Sequence, residues 1–396
     1  MNNYTKMPLL LGTLLISVSV PGYSQAAQSD NAPRGAMVHV VITDMTLQDN
    51  DELPPLMKDD VKVKQGKTMY TVTQLIPARD QAAGLQLMIL IDETLNIQAV
   101  GNNLTDLKEF VKAQPPATVI GIGYMANAEV NVVQQFTTDH EAAINAIRLP
   151  RGGLSTMDSP YLSLISLIKG WPKQNIRREV LMITDGIDRL HGETLTASQL
   201  GPRFGARGTN GPTVYHSMPT ISVDADSASE TSQRYNVIVS SIYSPGVGRA
   251  ARSSWDLDLG LGGLSKIADE TGGECYSLGT SNAVSFKPYL DRFQKNLNNQ
   301  YYLVFLGEPK KKGSLQRIKI WTEQSNSEIA APDNVWIPGP QDYNNDKQQQ
   351  LELEATYVPI TKRISEARAT PSWRLHTVRA PLAELKPSSS GSVTEK

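Results

Sequence analysis

Residues 85–96 read LQLMILIDETLN, an apolar run broken only by Gln86 that ends in Asp92, Thr94 and Asn96, three oxygen-bearing side chains on alternate positions. A near-continuous apolar run of this length predicts a strand buried on both faces, as in parallel sheets covered by helices on either side. Ligands of such sheets gather at the carboxyl ends of the strands, where this oxygen cluster lies. The stretch therefore points to an α/β fold and to one rim of its sheet.

Outward from it, strand patterns at Leu85–Asp92, Ala117–Met125, Glu129–Thr137, Glu179–Thr184, Tyr235–Tyr243 and Glu274–Leu278 alternate with helical spacings. Leu104, Leu107 and Val111 share one helix face, and Leu162, Ile165 and Ile168 share another. Gly272 is placed to stop a helix, and Pro288 falls in the first turn of one that carries Leu290, Phe293 and Leu297. An α/β domain over residues 84–299 follows. It is flanked by period-two or β-branched stretches at 36–80 (AMVHVVITDM, DDVKVKQGK, TMYTVTQLIP) and at 300–337 (YYLVFLG, SLQRIKIWTE, NVWIP). The order of these flanking antiparallel β segments in the chain permits them to pair into one sandwich. Residues 190–234 form an insertion far longer than ordinary connections, expected to cover the rim or to supply a recognition surface. Residues 338–396 are polar and aperiodic, which predicts a largely disordered tail.

The whole chain has 396 residues, 40% hydrophobic and 20% charged, enough for two domains. A formal charge of −2 offers no basic excess to neutralise phosphates, so nucleic acid and anionic membrane surfaces are not expected partners. Lys6, the apolar stretch after it and the small residues near Ala26 predict a signal peptide over 1–27, hence a secreted or periplasmic protein. No other segment is apolar for long enough to span a bilayer, so no integral membrane segment is expected after cleavage. Cys275 is the only cysteine; it allows no intrachain disulfide and is expected to be a buried, inert thiol.

Gly121–Ala126, GIGYMA, fits a dinucleotide fingerprint, but that chemistry needs a helix to open there. The β-branched NAEVNVVQQFTTD that follows predicts a strand, so no nucleotide cofactor is expected and the glycines are assigned to a hairpin turn. There is no Gly-x-Ser-x-Gly elbow and no His-Glu-x-x-His pair, so no catalytic residue is assigned and the protein is not expected to be an enzyme. A hydrolase using His191 or His216 of the insertion is the weakest reading. The oxygen cluster is different in kind. Asp92, Thr94 and Asn96 end one strand, Asp185 ends another, and RGGLSTMDSP at 151–160 lies between them. A hard divalent cation takes such a mixture of carboxylate, hydroxyl and amide oxygens.

In that order and on those strands, DETLN at 92–96, GGLSTMDS at 152–159 and Thr184-Asp185-Gly186 resemble the metal-ion-dependent adhesion site of von Willebrand factor type A domains. VVITD, LMKDDVKVKQGK, IADETGG and NNQYYLVFL followed by QRIKI resemble the type A-related proteins common in acidobacteria. The resemblance implies a Rossmann-like six-stranded sheet, five strands parallel and one antiparallel at the edge. It also implies a divalent cation, Mg2+ or another, held by Asp92, Thr94, Asn96, Ser155 and Asp185. Three positions depart from the family's pattern: Thr94 stands for the first serine and keeps its hydroxyl, Asn96 stands for the second, and the metal-binding threonine falls on Leu154, leaving Ser155 or Thr156 to substitute. Glu93 is not a ligand in this reading, because on an extended segment it faces away from Asp92 and Thr94. The implied function is adhesion-type binding of a protein ligand that presents an acidic group. The alternative is a structural or assembly component of the cell envelope with a metal-free site.

Overall fold

Period-two patterns at the two ends of the chain become strands of shared sheets. The computed structural model describes residues 35–46, 54–153, 157–171, 176–190, 200–201, 215–216, 222–246 and 254–339. The expected signal peptide, most of the insertion and residues 340–396 of the tail lie outside the described residues, as does Ser155.

The first strands are β1 (Ala36–Thr46), β2 (Val61–Gln65), β3 (Thr68–Tyr70) and β4 (Val72–Pro77). The α/β stretch then runs β5 (Leu85–Asp92), α1 (Ile97–Gly101), α2 (Leu104–Lys112), β6 (Thr118–Ala126), β7 (Glu129–Thr137), α3 (His140–Ala146), α4 (Pro160–Gly170) and β8 (Arg177–Thr184). It continues with β9 (Leu200–Gly201), β10 (Tyr215–His216), α5 (Val223–Arg234), β11 (Ile238–Tyr243), α6 (Ser254–Thr271), β12 (Cys275–Tyr276) and α7 (Lys287–Asn298). The last strands are β13 (Gln300–Gly307), β14 (Ser314–Thr322), β15 (Ser327–Ala330) and β16 (Asn334–Ile337).

Strands from the two ends interleave in two four-stranded sheets, β15-β1-β13-β4 and β16-β14-β2-β3. Alternate residues of β1, Val38, Val40 and Ile42, meet Leu303 and Phe305 of β13 and pack on Val61, Val63, Ile318, Ile320, Val335 and Ile337 of the facing sheet. That is one sandwich core, built as alternation requires.

Between these halves lies a six-stranded sheet, β12-β11-β8-β5-β6-β7, with every neighbouring pair parallel except β6–β7. This is the strand arrangement that the type A resemblance implies. β5 is buried along its whole length because both of its faces are covered. Leu85, Leu87, Ile89 and Ile91 face α2, α3 and α7, while Met88 and Leu90 face α4, α5 and α6. Among the described residues no helix is long and apolar enough to cross a membrane.

Three expectations need correction. Residues 223–234, assigned to a long loop, form α5, which buries Ala225, Ala228, Ser229 and Ser232 in the α4–α5–α6 layer. Its inward face carries small residues; Ser232 Oγ bonds back to the Ala228 carbonyl at 2.7 Å, and Ser229 Oγ donates to Glu270 of α6. Second, Gly121 and Gly123 do not make the hairpin turn. They lie inside β6, where an added Cβ would come within 2.7 Å of Met88 and Val130 side chains respectively. The turn itself is Asn127-Ala128, at φ 52° and 60°. Third, Cys275 is half-buried, on a strand of two residues, although burial still pushes its thiol pKa up.

A buried polar network joins the sheet to the sandwich. Arg177 and Glu179 lie two apart on β8, so their side chains share a face. Arg177 Nη1 donates to Gln300 Oε1 at 2.6 Å and to the Leu297 carbonyl at 2.9 Å. Gln300 Nε2 in turn donates to Glu179 and to Thr43 Oγ1. Burial raises the Glu179 carboxyl to about 7, against smaller downward pulls from Arg177 and Gln300. The folded state therefore binds this proton more tightly than the unfolded chain does, and stability falls as pH rises from the ordinary glutamate range to about 7. The loss is on the order of 3 kcal/mol. Glu179→Gln is expected to flatten the dependence, matching wild type near pH 5 and exceeding it in Tm above pH 7. Parallel melting curves for the two proteins across this range would contradict the assignment.

Candidate functional site

The β5 and β8 strands are parallel neighbours in register Ile91↔Ile183, so their carboxyl ends open on the same rim. Asp92 and Asp185 are therefore brought together, as the sequence predicts. The two strand ends are bonded through Thr184, whose Oγ1 donates to Asp92 Oδ2 at 2.7 Å. The other oxygen, Oδ1, accepts from Thr94 N at 2.9 Å and from Thr94 Oγ1 at 2.8 Å. Both carboxylates are buried, Asp92 at 3% exposure and Asp185 at 0%. Burial, and then the charge of Asp185, hold the Asp92 carboxyl above the usual range, while Thr184, Arg189 and Thr94 pull it down.

Asp185 sits in a tight turn. Gly186 adopts φ +70°, and its carbonyl accepts a 2.6 Å bond from the buried Tyr161 hydroxyl. Asp185 Oδ1 accepts from Ile187 N at 2.9 Å. The turn carries the chain back so that Arg189 reaches the same carboxylate, with Nη2 2.6 Å from Oδ2 and Nη1 3.4 Å from Oδ1. Helix α6 closes over this turn at Gly260.

Asn96 has another task. Its Oδ1 accepts from Gln98 N at 2.9 Å and Ala99 N at 3.3 Å, capping α1. Glu93 points to the other side, as alternation demands. It pairs with Arg148 and accepts from Arg151 N at 2.7 Å, which anchors the 148–152 segment to the rim together with a 2.9 Å bond from Gly152 N to the Glu93 carbonyl. Asp158 Oδ1 accepts from Asn127 N in the β6–β7 turn at 2.7 Å, and the Asp158 carbonyl accepts from Arg189 N at 2.8 Å. Four segments thus meet at one end of the sheet.

No protein-family model matches the chain, and no curated protein matches it. Solved structures match it in part. One is an aerotolerance-related membrane protein from Bacteroides fragilis, 14% identical with TM-score 0.33 over 54% of this chain and 99% of that one. Another is the SpRpn10 VWA domain, 12% identical with TM-score 0.31 over 54% and 96%. A third comprises three N-terminal domains of the type V pili tip protein Mfa5 from Porphyromonas gingivalis, 11% identical with TM-score 0.34 over 77% and 69%. These partial likenesses do not extend to the narrower acidobacterial group, and the fold rests on the strand order and directions above.

As arranged, the described residues of the rim spend their oxygens on bonds within the chain, and the positive charge nearest Asp185 is that of Arg189. A divalent ion needs several oxygens free to converge at about 2.0–2.6 Å. Here both Asp92 oxygens, the Asn96 amide oxygen and the Asp185 carboxylate already accept bonds from within the chain. Among the described residues no group of three or more His, Cys, Asp or Glu is placed to hold a metal.

Residue-by-residue reading missed Thr184 as the bridge, Arg148 as the partner of Glu93, and Arg189. A signal for the last was present: Asp185-Gly186-Ile187-Asp188-Arg189 places an arginine four residues past a strand-ending carboxylate, across a glycine. His191 lies outside the described residues; the backbone of His216 pairs with Leu200 in the small β9–β10 ribbon.

Among the described residues the rim presents apolar side chains outward. Ile97 is 40% exposed, Leu149 42% and Met157 51%. Leu149 lies against α1, where a Cβ at Gly101 would meet its Cδ2 at 3.3 Å, and Ile97 opens the same helix. The Arg151 side chain is 75% exposed and lies 3.9 Å from Glu93.

Proposed function

We propose that the chain is a protein-binding module of the von Willebrand factor type A kind, acting outside the cytoplasm through the carboxyl-end rim of its sheet. The observation that carries this reading is the inversion at the rim: Asp92 and Asp185 are buried, while Ile97, Leu149 and Met157 are exposed and the Arg151 side chain, two residues past Leu149, is 75% exposed. Exposed apolar side chains and an arginine are what the buried core of a protein interface draws on. A partner that fits them offers an apolar patch with an acidic group beside it. Binding, and not turnover, is the chemistry that these residues supply.

The test is a quantitative pull-down from native envelope and culture medium, using wild type and a Leu149→Ser/Met157→Ser/Arg151→Glu variant with unchanged circular dichroism. Recovery of the specific partner is expected to fall at least tenfold in the variant, about 1.4 kcal/mol of binding free energy. Equal recovery by both proteins would remove the rim as the recognition surface.

A further inference from the structure

We propose that Arg189 is the resident cation of the rim, standing where the type A resemblance leads one to expect a metal ion and making the site independent of divalent cations. The inference concerns how the rim is held together, and it stands whether or not a partner touches that rim.

Two buried carboxylates at adjoining strand ends need a positive charge close by. Arg189 supplies it from within the chain. Its side chain is 11% exposed and grips both oxygens of Asp185 with the two arms of the guanidinium. Nη1 also donates to the Ile187 carbonyl at 3.1 Å, and the backbone N–H is fixed on the Asp158 carbonyl. The charge of Arg189 acts on Asp92 and Asp158 as well as on Asp185. A planar fork held at its arms and its base is a pre-organised group, unlike a surface arginine.

The rest of the site is adapted to that charge. Asp92, the other strand-ending carboxylate, accepts from Thr94 N, Thr94 Oγ1 and Thr184 Oγ1. Asn96 gives its oxygen to a helix cap. For a divalent ion to reach Asp185 the guanidinium has to leave, which exposes a buried acid and breaks a short ion pair.

The experiment uses the full mature chain without any partner. Mg2+, Mn2+ and Ca2+ are titrated separately, by calorimetry and by thermal melting, into wild type, Arg189→Gln and Arg189→Lys. Wild type is expected to give no saturable heat and no Tm change with ion or chelator. Arg189→Gln is expected to lose roughly 5–10 °C in Tm and to recover part of it in millimolar Mn2+, reversibly with chelator. Arg189→Lys, which keeps a positive charge there, is expected to stay insensitive to the ions. Saturable binding of any of the three ions to wild type, abolished by Asp185→Asn, would overturn the proposal. So would an Arg189→Gln protein that folds and responds to none of them. The wild-type titration decides the matter even where Arg189→Gln does not fold.

Discussion

A chain lacking residues 190–234 is expected not to fold, whereas one in which a short Gly-Ser linker replaces only 191–221 is expected to keep its sheet. The larger deletion removes α5, whose Ala225, Ala228, Ser229 and Ser232 are buried between α4 and α6. Without it Tyr161, Leu264, Ile267 and Val239 lose a neighbour in their core cluster and face water. Burial of side chains of this size contributes about 1.5–3 kcal/mol each, so the loss is comparable to the whole margin of an ordinary domain. The smaller deletion is feasible because its two ends are already close: Ser222 Oγ donates to Asp188 Oδ2 at 2.6 Å, two residues before Leu190. Circular dichroism and melting of both proteins make the comparison. A cooperative transition in the 190–234 deletion would show that α5 is dispensable.

Gly260→Val is expected to destabilise the protein by on the order of 4 kcal/mol or more, with loss of the ordered rim. A Cβ at Gly260 would lie 2.3 Å from the Asp185 carbonyl oxygen, and one at Gly186 would lie 2.4 Å from the Gly260 carbonyl oxygen. Helix and turn meet backbone to backbone, so neither can yield by rotating a side chain. Moving α6 outward to admit the valine disturbs the turn that aims Asp185 and Arg189. Gly170→Ala, at the end of α4 where nothing lies within 4 Å of the new Cβ, is the control and is expected to be neutral or slightly stabilising. Equal melting temperatures for the Gly260 variant and this control would refute the close-packing account.

The parts of the molecule that depend on a single strand were readable from residues alone. β5 and β7 have the predicted bounds, because a near-continuous apolar run and a β-branched, alternating stretch each leave one reading. The meeting of Asp92 with the end of β8 was also readable, since both segments close buried strands of one parallel sheet. Glu93 turns away from Asp92 for the same period-two reason.

What escaped depends on tertiary neighbours. α5 carries no large apolar residue on its inward face, so its pattern is that of a polar loop until α4 and α6 flank it. The β11 strand begins at Ile238 and not at Tyr235, because Asn236 at φ 53° turns the chain first. The oxygens of Asp92, Asn96 and Asp185 look alike in a sequence. Only bonded geometry tells a ligand from a helix cap or the partner of a guanidinium, and Arg189 reaches Asp185 through a left-handed Gly186.

The interleaved sandwich sets an order of events for a chain that grows from its N-terminus. Ala36 finds its cross-strand partner at Gly307 and Val61 finds its own at Thr322, on the far side of the entire α/β unit. Until β13 and β14 have been made, β1 and β2 carry valines and isoleucines with open edges, the condition under which strands pair with the wrong neighbour. The α/β unit can settle first, and the Arg177–Gln300–Glu179 bonds then hold the start of β13 at the foot of the sheet, where β1 can close on it. A network deep in the molecule thereby acts as the clasp that joins the earliest and latest parts of the chain.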